Sequence, residues 1–322
     1  MANLQSQFER FHNIIKIDFD DSKPLREKRD LIVNNLRDGL KKLIPISTPS
    51  FSPFNQGSYD LATGVEPLKG EDYDIDVGII LNFSRFLYKP VEIKELVCSA
   101  LQIGQRKVEI KRPCVRVQYL QNGEKRFHVD LAIYSTDIDR QGNEINYIAK
   151  GFPGSYEDKK IWELSEPFKL KTLLRSKFSN DLDRYQFRRT IRYLKRWKDY
   201  IFTSTGAGRP TGIALTACCY NFFIPQKSYV YNYQNYQYND LLALQNVVSG
   251  MISTFDDDQI SVMLPVQPYN DLFEKMTRRQ MREMKLRLIY FQIVLNNVIH
   301  EYDISTACYK LQGVLGDDFP SI

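Results

Sequence analysis

Cysteine and histidine are scarce in this chain of 322 residues. The five cysteines, Cys98, Cys114, Cys218, Cys219 and Cys308, are odd in number and form no CxxC pair. Neither a disulfide framework nor a zinc ribbon is supported, and a reducing cytoplasm is the expected compartment. The three histidines, His12, His128 and His300, lie far apart in the sequence, which argues against a histidine-based metal site. No apolar run approaches the roughly 18 to 20 residues that a membrane helix needs, so no membrane partner is expected. Glu9, Arg10 and His12 interrupt the first segment, which therefore does not read as a secretory signal. Charge of one sign is not in great excess. Lys+Arg 44 against Asp+Glu 39 leaves +5, compatible with an anionic ligand but ordinary for a soluble surface. There is no internal repeat and no long low-complexity tract. The nearest to one is the Tyr/Asn/Gln-rich stretch from Tyr229 to Tyr238, which reads as a surface loop between helices.

What is present is a globular composition, 43% hydrophobic and 26% charged, which excludes a disordered or collagen-like chain. At roughly 150 residues per domain the length predicts two domains or one bilobal unit. The first 45 or so residues have helical spacing. Ser22 and Pro24 suit a helix start, and Ile32, Leu36, Leu40 and Leu43 continue on one face. From about residue 50 to 150 the period shortens. Strand-like runs occur at Tyr73–Leu81, Cys114–Leu120 and Arg126–Tyr134, with a helical stretch at Pro90–Gln102, and Asn122-Gly123 is a hairpin signal. Beyond Tyr156 the pattern is helical again, at Pro167–Phe178, Asp181–Phe202, Thr211–Phe223, Asn239–Phe255 and Met276–Tyr302. Gly151-Phe-Pro-Gly154 is the linker candidate. Residues 1–150 would hold N-terminal helices and an α/β core, and residues 151–322 a helical lobe.

The chemistry-bearing segment runs from Gln56 to Gly78. Strands alternate faces, so Asp74, Asp76 and Gly78 share one face while Tyr73, Ile75, Val77 and Ile79 share the buried one. Two adjacent carboxylates repel, and a hard divalent cation, Mg²⁺ or Mn²⁺, removes that cost. Asp130 is flanked by Val129 and Leu131 and lies opposite the apolar face of its own strand. If the two strands are neighbours, three carboxylates converge, enough for two Mg²⁺ ions and in-line phosphoryl transfer. The acidic runs Asp18-Phe-Asp20-Asp21 and Asp256-Asp-Asp258 read as caps and loops.

Gly57-Ser58, then Tyr73-Asp-Ile-Asp-Val-Gly78, then His128-Val-Asp-Leu-Ala-Ile-Tyr134, in that order, resemble the polymerase β-like nucleotidyltransferase superfamily. More narrowly they resemble the cGAS/DncV-like nucleotidyltransferases (CD-NTases), bacterial enzymes that make cyclic oligonucleotide second messengers in anti-phage signalling (CBASS). Trp162-Glu-Leu-Ser-Glu-Pro167 is similar to that family's Trp…Ser-Asp-Pro segment, and Arg189-Thr-Ile-Arg-Tyr-Leu-Lys-Arg-Trp197 to its Lys/Trp-bearing helix. The resemblance covers about residues 20 to 300. It implies an α+β fold, with a mixed-sheet nucleotidyltransferase core against a mostly helical C-terminal lobe and the active site in the cleft between.

The resemblance also implies roles. Asp74, Asp76 and Asp130 would be catalytic and would hold two Mg²⁺ (or Mn²⁺) ions. Gln56, Gly57, Ser58, Lys195 and Thr211 would bind the donor triphosphate. A glycine lets the backbone approach closely, and Ser58 offers a hydroxyl. In the helix from Asp181 to Phe202, Phe187, Ile191, Leu194, Trp197 and Ile201 group on one side. Arg188, Arg192 and Lys195 group on the other, with Arg189 and Arg196 beside them. That basic stripe reads as a solvated face, Lys195 excepted. Thr211 follows Pro210 in the first turn of a helix, where free N–H groups favour an anion. The implied activity is template-independent synthesis of a cyclic di- or trinucleotide from NTPs, ATP or GTP first and pyrimidine nucleotides open, with release of pyrophosphate. A downstream effector would respond to the product. No Cys/His cluster matches the zinc-binding insertion of the animal enzyme, so direct DNA activation is not supported. The alternatives are an RNA-tailing or linear-oligonucleotide-synthesising enzyme and a non-catalytic nucleotide sensor. Base choice, linkage and ring size are not legible in the sequence.

Overall fold

A computed structural model describes residues 2–17, 23–46, 48–104, 106–118, 127–202, 208–230 and 234–321. Ser22, the acidic run at 18–21, Leu120, the Asn122-Gly123 hairpin signal and Arg126 lie outside them. In chain order the elements are α1 (Gln5–Ile15), β1 (Lys16–Ile17), α2 (Lys23–Leu43), β2 (Phe51–Asn55), α3 (Gly57–Asp60), β3 (Gly64–Val65), β4 (Tyr73–Leu81), α4 (Pro90–Leu101), β5 (Lys107–Ile110), β6 (Val115–Gln118), β7 (Phe127–Ile138), β8 (Glu144–Lys150) and β9 (Ile161–Leu164). The second half continues with α5 (Pro167–Arg175), α6 (Asp181–Ile201), α7 (Gly212–Phe222), β10 (Lys227–Val230), β11 (Asn235–Tyr238), α8 (Asp240–Ser253), α9 (Arg278–Ile299) and α10 (Ile304–Leu315). The fold is α+β, as expected.

The main sheet has seven strands in the order β2-β4-β7-β6-β5, with β8 on β7 and β9 on β8. Only β4 and β7 run parallel in it, so the sheet is mixed. The alternation of β4 is the physical origin of its placement. Tyr73, Ile75, Val77, Ile79 and Leu81 are buried against α2 and α4, which contribute Ile32, Leu36, Leu40, Ile93 and Val97 to the same core. The period-two pattern thereby commits Asp74 and Asp76 to the other face.

A second core lies among the helices. Leu4, Phe8, Phe11 and Ile15 of the N-terminal segment join residues from α6 to α10 there. Trp197 stacks on Phe291, centroids 5.3 Å apart and planes 5° off parallel, a pair that contributes about 0.5 to 1.5 kcal/mol beyond its buried area. The chain therefore crosses between the cores more than once: α1 packs with the helices, and β9, beyond residue 150, extends the sheet. Near that crossing the buried Lys94 ammonium donates to the carbonyls of Lys111, Arg112 and Gly151 at 2.6, 3.0 and 2.6 Å. Lys94 thus fixes the expected linker to the β5–β6 turn.

Two expectations are corrected, and several elements were not expected at all. The Tyr229–Tyr238 stretch is not a plain loop: β10 and β11 pair as an antiparallel hairpin, with Tyr229 opposite Tyr236. Helix α10 and the strands β2, β5, β8 and β9 have no counterpart in the pattern reading. The basic stripe of α6 is not solvated. Arg192, Lys195 and Arg196 are all buried, because β3 and residues near the C-terminus cover that side. Arg192 donates to Gly64 O at 3.0 Å, and Arg196 faces Asp318 at 3.3 Å. No helix among the described residues is long and apolar enough to cross a membrane.

Candidate active site

Strands β4 and β7 are in register, with Asp74 opposite His128 and Asp76 opposite Asp130. The three aspartates expected to converge are thus neighbours on one face of the sheet. Asp76 sits at its centre. Desolvation, then repulsion from Asp130 and Asp74, pushes its carboxyl up to about 7. Asp74 projects outward; His128 Nδ1 lies 3.4 Å from its Oδ1 and His128 Nε2 lies 3.1 Å from Asp72.

Asp130 is engaged by a residue the sequence reading did not single out. Arg116 on β6 is its register partner. Nε donates to Oδ1 and Nη2 to Oδ2, both at 2.7 Å, and Nη2 lies 3.6 Å from Asp74 Oδ1. Among the described residues no group of three His, Cys, Asp or Glu side chains stands ready to hold a metal ion. The alternation Val115-Arg-Val-Gln118 carried the missed signal, since it puts Arg116 on the polar face of its strand.

The Gly57–Ser58 turn closes onto the same face. Gly57 has φ +67°, and a Cβ there would fall 2.0 Å from Asp76 Oδ2. Only glycine permits that approach, and what it approaches is the Asp76 carboxylate. The Gln56 N–H donates to Asp76 O at 3.1 Å. Its side-chain amide donates to the Tyr134 hydroxyl at 2.8 Å, and its Oε1 is buried with no partner among the described residues.

Beside this face is a cleft of about 620 Å³, lined by Gly57, Ser58, Tyr59, Asp74, Asp76, Lys195 and Thr211, among others. Gln56 and Asp130 do not line it. The Lys195 ammonium donates to Thr63 O and Oγ1, each at 3.0 Å, and the Thr63 N–H donates to Ser58 O at 2.9 Å. Desolvation, reinforced by Lys198 and Arg192, lowers Lys195 to about 7. Lys195 therefore reaches the Ser58 turn through Thr63 as well as bordering the cleft. Thr211 is the N-cap of α7, its hydroxyl accepting from Ala214 N at 3.3 Å. Two further cations border the cleft, Lys198 and Arg209. Both pair with Asp199, Lys198 at 2.9 Å. Neither stood out in the sequence, because Lys198 lies one helical turn beyond Lys195 in the same basic stripe and Arg209 sits in a glycine-rich turn.

An in-register aspartate face, a glycine-serine turn closed on it and a helix N-terminus across a cleft meet at one place. Residues 51–134, from β2 into β7, match the family model of the DncV-like cyclic GMP-AMP synthase nucleotidyltransferase domain. The whole chain shares its fold with Vibrio cholerae DncV, described as a cyclic AMP-GMP synthase and prokaryotic cGAS homologue. The identity is 16%, the TM-score 0.74, and the match covers 100% of this chain and 98% of that one. The same Vibrio cholerae enzyme in complex with the linear intermediate pppA(3′,5′)pG matches at 16% identity and TM-score 0.74, over 98% and 96% of the two chains. Its complex with nonhydrolyzable GTP matches at 16% and 0.75, over 100% and 98%. No curated protein sequence matches the chain.

Proposed function

We propose that this protein is a metal-dependent, template-independent nucleotidyltransferase that converts NTPs into a cyclic di- or trinucleotide and releases pyrophosphate. The observation that carries this reading is the juxtaposition of Asp74, Asp76 and Asp130 on one sheet face beside a cleft bordered by Ser58 and the N-terminus of α7. The DncV complexes with GTP and with a linear dinucleotide support nucleoside triphosphates, ATP and GTP first, as substrates.

The residues fit a divalent cation. Asp74, Asp76 and Asp130 stand together on one face, burial and then their mutual repulsion push Asp76 up, and oxygen donors suit Mg²⁺ or Mn²⁺. Asp74 and Asp76 would hold it, with Asp130 contributing on the side away from the cleft. Two ions per site remain the proposed count. When bound, such ions neutralise triphosphate charge and lower the pKa of an attacking hydroxyl. The chain's own groups orient the donor. Ser58 offers its hydroxyl, the first turn of α7 offers N–H groups beside Thr211, and Lys195, Lys198 and Arg209 supply positive charge along the cleft. Gln56 supports the turn from behind through Tyr134. The acceptor ribose oxygen bonds to the donor α-phosphorus as the bond to the β-phosphate bridging oxygen breaks. Pyrophosphate departs and the hydroxyl proton passes to solvent. A second such attack closes the ring.

In this reading residues 1–150 carry the N-terminal helices and the catalytic core, and residues 151–322 a helical lobe that binds nucleotide and serves as a lid, with α1 packed among the lobe's helices and β9 on the core's sheet. The setting would be the cytoplasm, the role anti-phage defence of the CBASS type, and the product's receptor a downstream effector protein.

The test is incubation with four labelled NTPs and Mg²⁺ or Mn²⁺, phosphatase treatment, and chromatography with mass spectrometry. A phosphatase-resistant product is expected, with turnover lower by several orders of magnitude in Asp76→Ala. A folded Asp76→Ala protein with wild-type turnover would refute the assignment. Extension of an added RNA primer in place of a cyclic product would transfer the activity to RNA tailing.

A further inference from the structure

The guanidinium of Arg116 lies between Asp130 and Asp74. Its fork takes both oxygens of Asp130 at 2.7 Å, and the same Nη2 stands 3.6 Å from Asp74 Oδ1. No ion pair joins it to Asp76 among the described contacts. Arg116 therefore divides the carboxylate face. On one side, Asp76 and the cleft edge of Asp74 are open to a cation. On the other, both oxygens of Asp130 are held by a charge that cannot leave by deprotonation, since a guanidinium stays protonated. The side chain is only 29% exposed, and β6 and β7 hold it opposite its partner through their register. Two parallel charge-assisted bonds also make this a strong and directional grip on the carboxylate.

We propose that Arg116 is a resident counter-ion that shares Asp130 and Asp74 with the second divalent cation. It weakens that cation's hold and so sets an order of uptake, the cleft-side cation first. This rests on the reading of Asp74, Asp76 and Asp130 as cation ligands. Arg116 is a positioning residue here. It makes the cation on the Asp130 side dependent on whatever else arrives with it, an acceptor nucleotide above all, because acceptor oxygens would compensate for the share of Asp130 that Arg116 keeps.

The experiment is a titration of the full chain with Mn²⁺, without nucleotide, reading free Mn²⁺ by electron paramagnetic resonance, with circular dichroism to verify folding. Wild type should show one tighter and one weaker Mn²⁺. In Arg116→Gln the weaker one should tighten about tenfold, because a charged hydrogen-bonded competitor is removed, while the tighter one moves less than about twofold. Arg116→Lys keeps the charge and loses the fork, and should tighten the weaker Mn²⁺ by only about threefold, which keeps the test open should the glutamine variant fail to fold. A weaker Mn²⁺ that is unchanged or loosened in the folded variants overturns the proposal. Asp76→Ala separates the two readings. If it leaves wild-type Mn²⁺ binding intact, or if wild type binds no Mn²⁺, the carboxylate site itself is wrong and the proposal falls with it. If it removes the tighter Mn²⁺ while Arg116→Gln changes nothing, only the role of Arg116 is refuted.

Discussion

Replacing Asp76 by asparagine should make the metal-free protein more stable while abolishing its activity. The Asp76 carboxyl is pushed from 3.8 to about 7 by desolvation and by Asp130 and Asp74. A folded-state value above the unfolded one means that the fold favours the protonated acid. That contribution is complete below about pH 3.8 and is lost as pH rises through about 7. At about 1.4 kcal/mol per tenfold change in proton affinity, ionised Asp76 costs at most about 4 kcal/mol at pH 8. The neutral amide has nearly the same shape and still carries its own desolvation, so about 2 kcal/mol should be recovered. The assay is urea unfolding in EDTA from pH 4 to pH 8.5. The stability difference, variant minus wild type, should rise by about 4 kcal/mol, from about −2 kcal/mol at the acid end to about +2 kcal/mol, and level off above pH 7. Added Mg²⁺ should then stabilise wild type, more at pH 8 than at pH 5, and stabilise the variant much less. A difference that does not vary with pH, or an asparagine variant less stable than wild type in EDTA at pH 8, would refute the electrostatic account of this face.

Gly57→Ala should destabilise the fold by about 1 to 3 kcal/mol and nearly abolish turnover, because its Cβ would enter the Asp76 carboxylate at 2.0 Å. Gly142→Ala is the control in urea unfolding and initial-rate assays: its φ of +84° is equally unfavourable but its surroundings are open, so it should lose stability without losing activity. Thr211→Ala should cost about 1 kcal/mol through the lost cap of α7, and should raise the KM for NTP more than it lowers kcat. Equal loss in kcat and kcat/KM, with KM unchanged, would mean that Thr211 acts only in the transition state.

The carboxylate face was legible because strand alternation is a short-range code. Tyr73, Ile75 and Val77 had to be buried together, and Asp74 and Asp76 followed. Parallel pairing with Asp130 could be posed from sequence but not decided there, since register depends on contacts more than fifty residues apart. Arg116 was readable in principle from its own alternating run, and it went unnoticed because an arginine on a strand's polar face is normally solvated. The α6 stripe was misread for the opposite reason. A helix wheel reports periodicity and says nothing about what covers a face, and here β3 and the Asp318 region cover it. The weakly patterned strands β5 and β9 are four residues each, too short for a period to emerge. In the β10–β11 hairpin, tyrosine and asparagine looked like loop composition, whereas tyrosine pairs well across strands.

The in-register pairing of β4 and β7 also determines which genetic changes this site can absorb. The spacing of Asp74, Asp76 and Asp130 depends on the parity of positions along two strands, hardly at all on which apolar residues occupy the alternate ones. Exchanges such as Ile75→Val or Leu131→Ile leave parity untouched. Inserting or deleting one residue between Tyr73 and Asp76, or between Phe127 and Asp130, would rotate a carboxylate into the core. The turn between β7 and β8, at residues 139–143, has no such constraint. Descendants of this chain should therefore vary widely in amino-acid identity along β4 and β7 and vary in length only outside them.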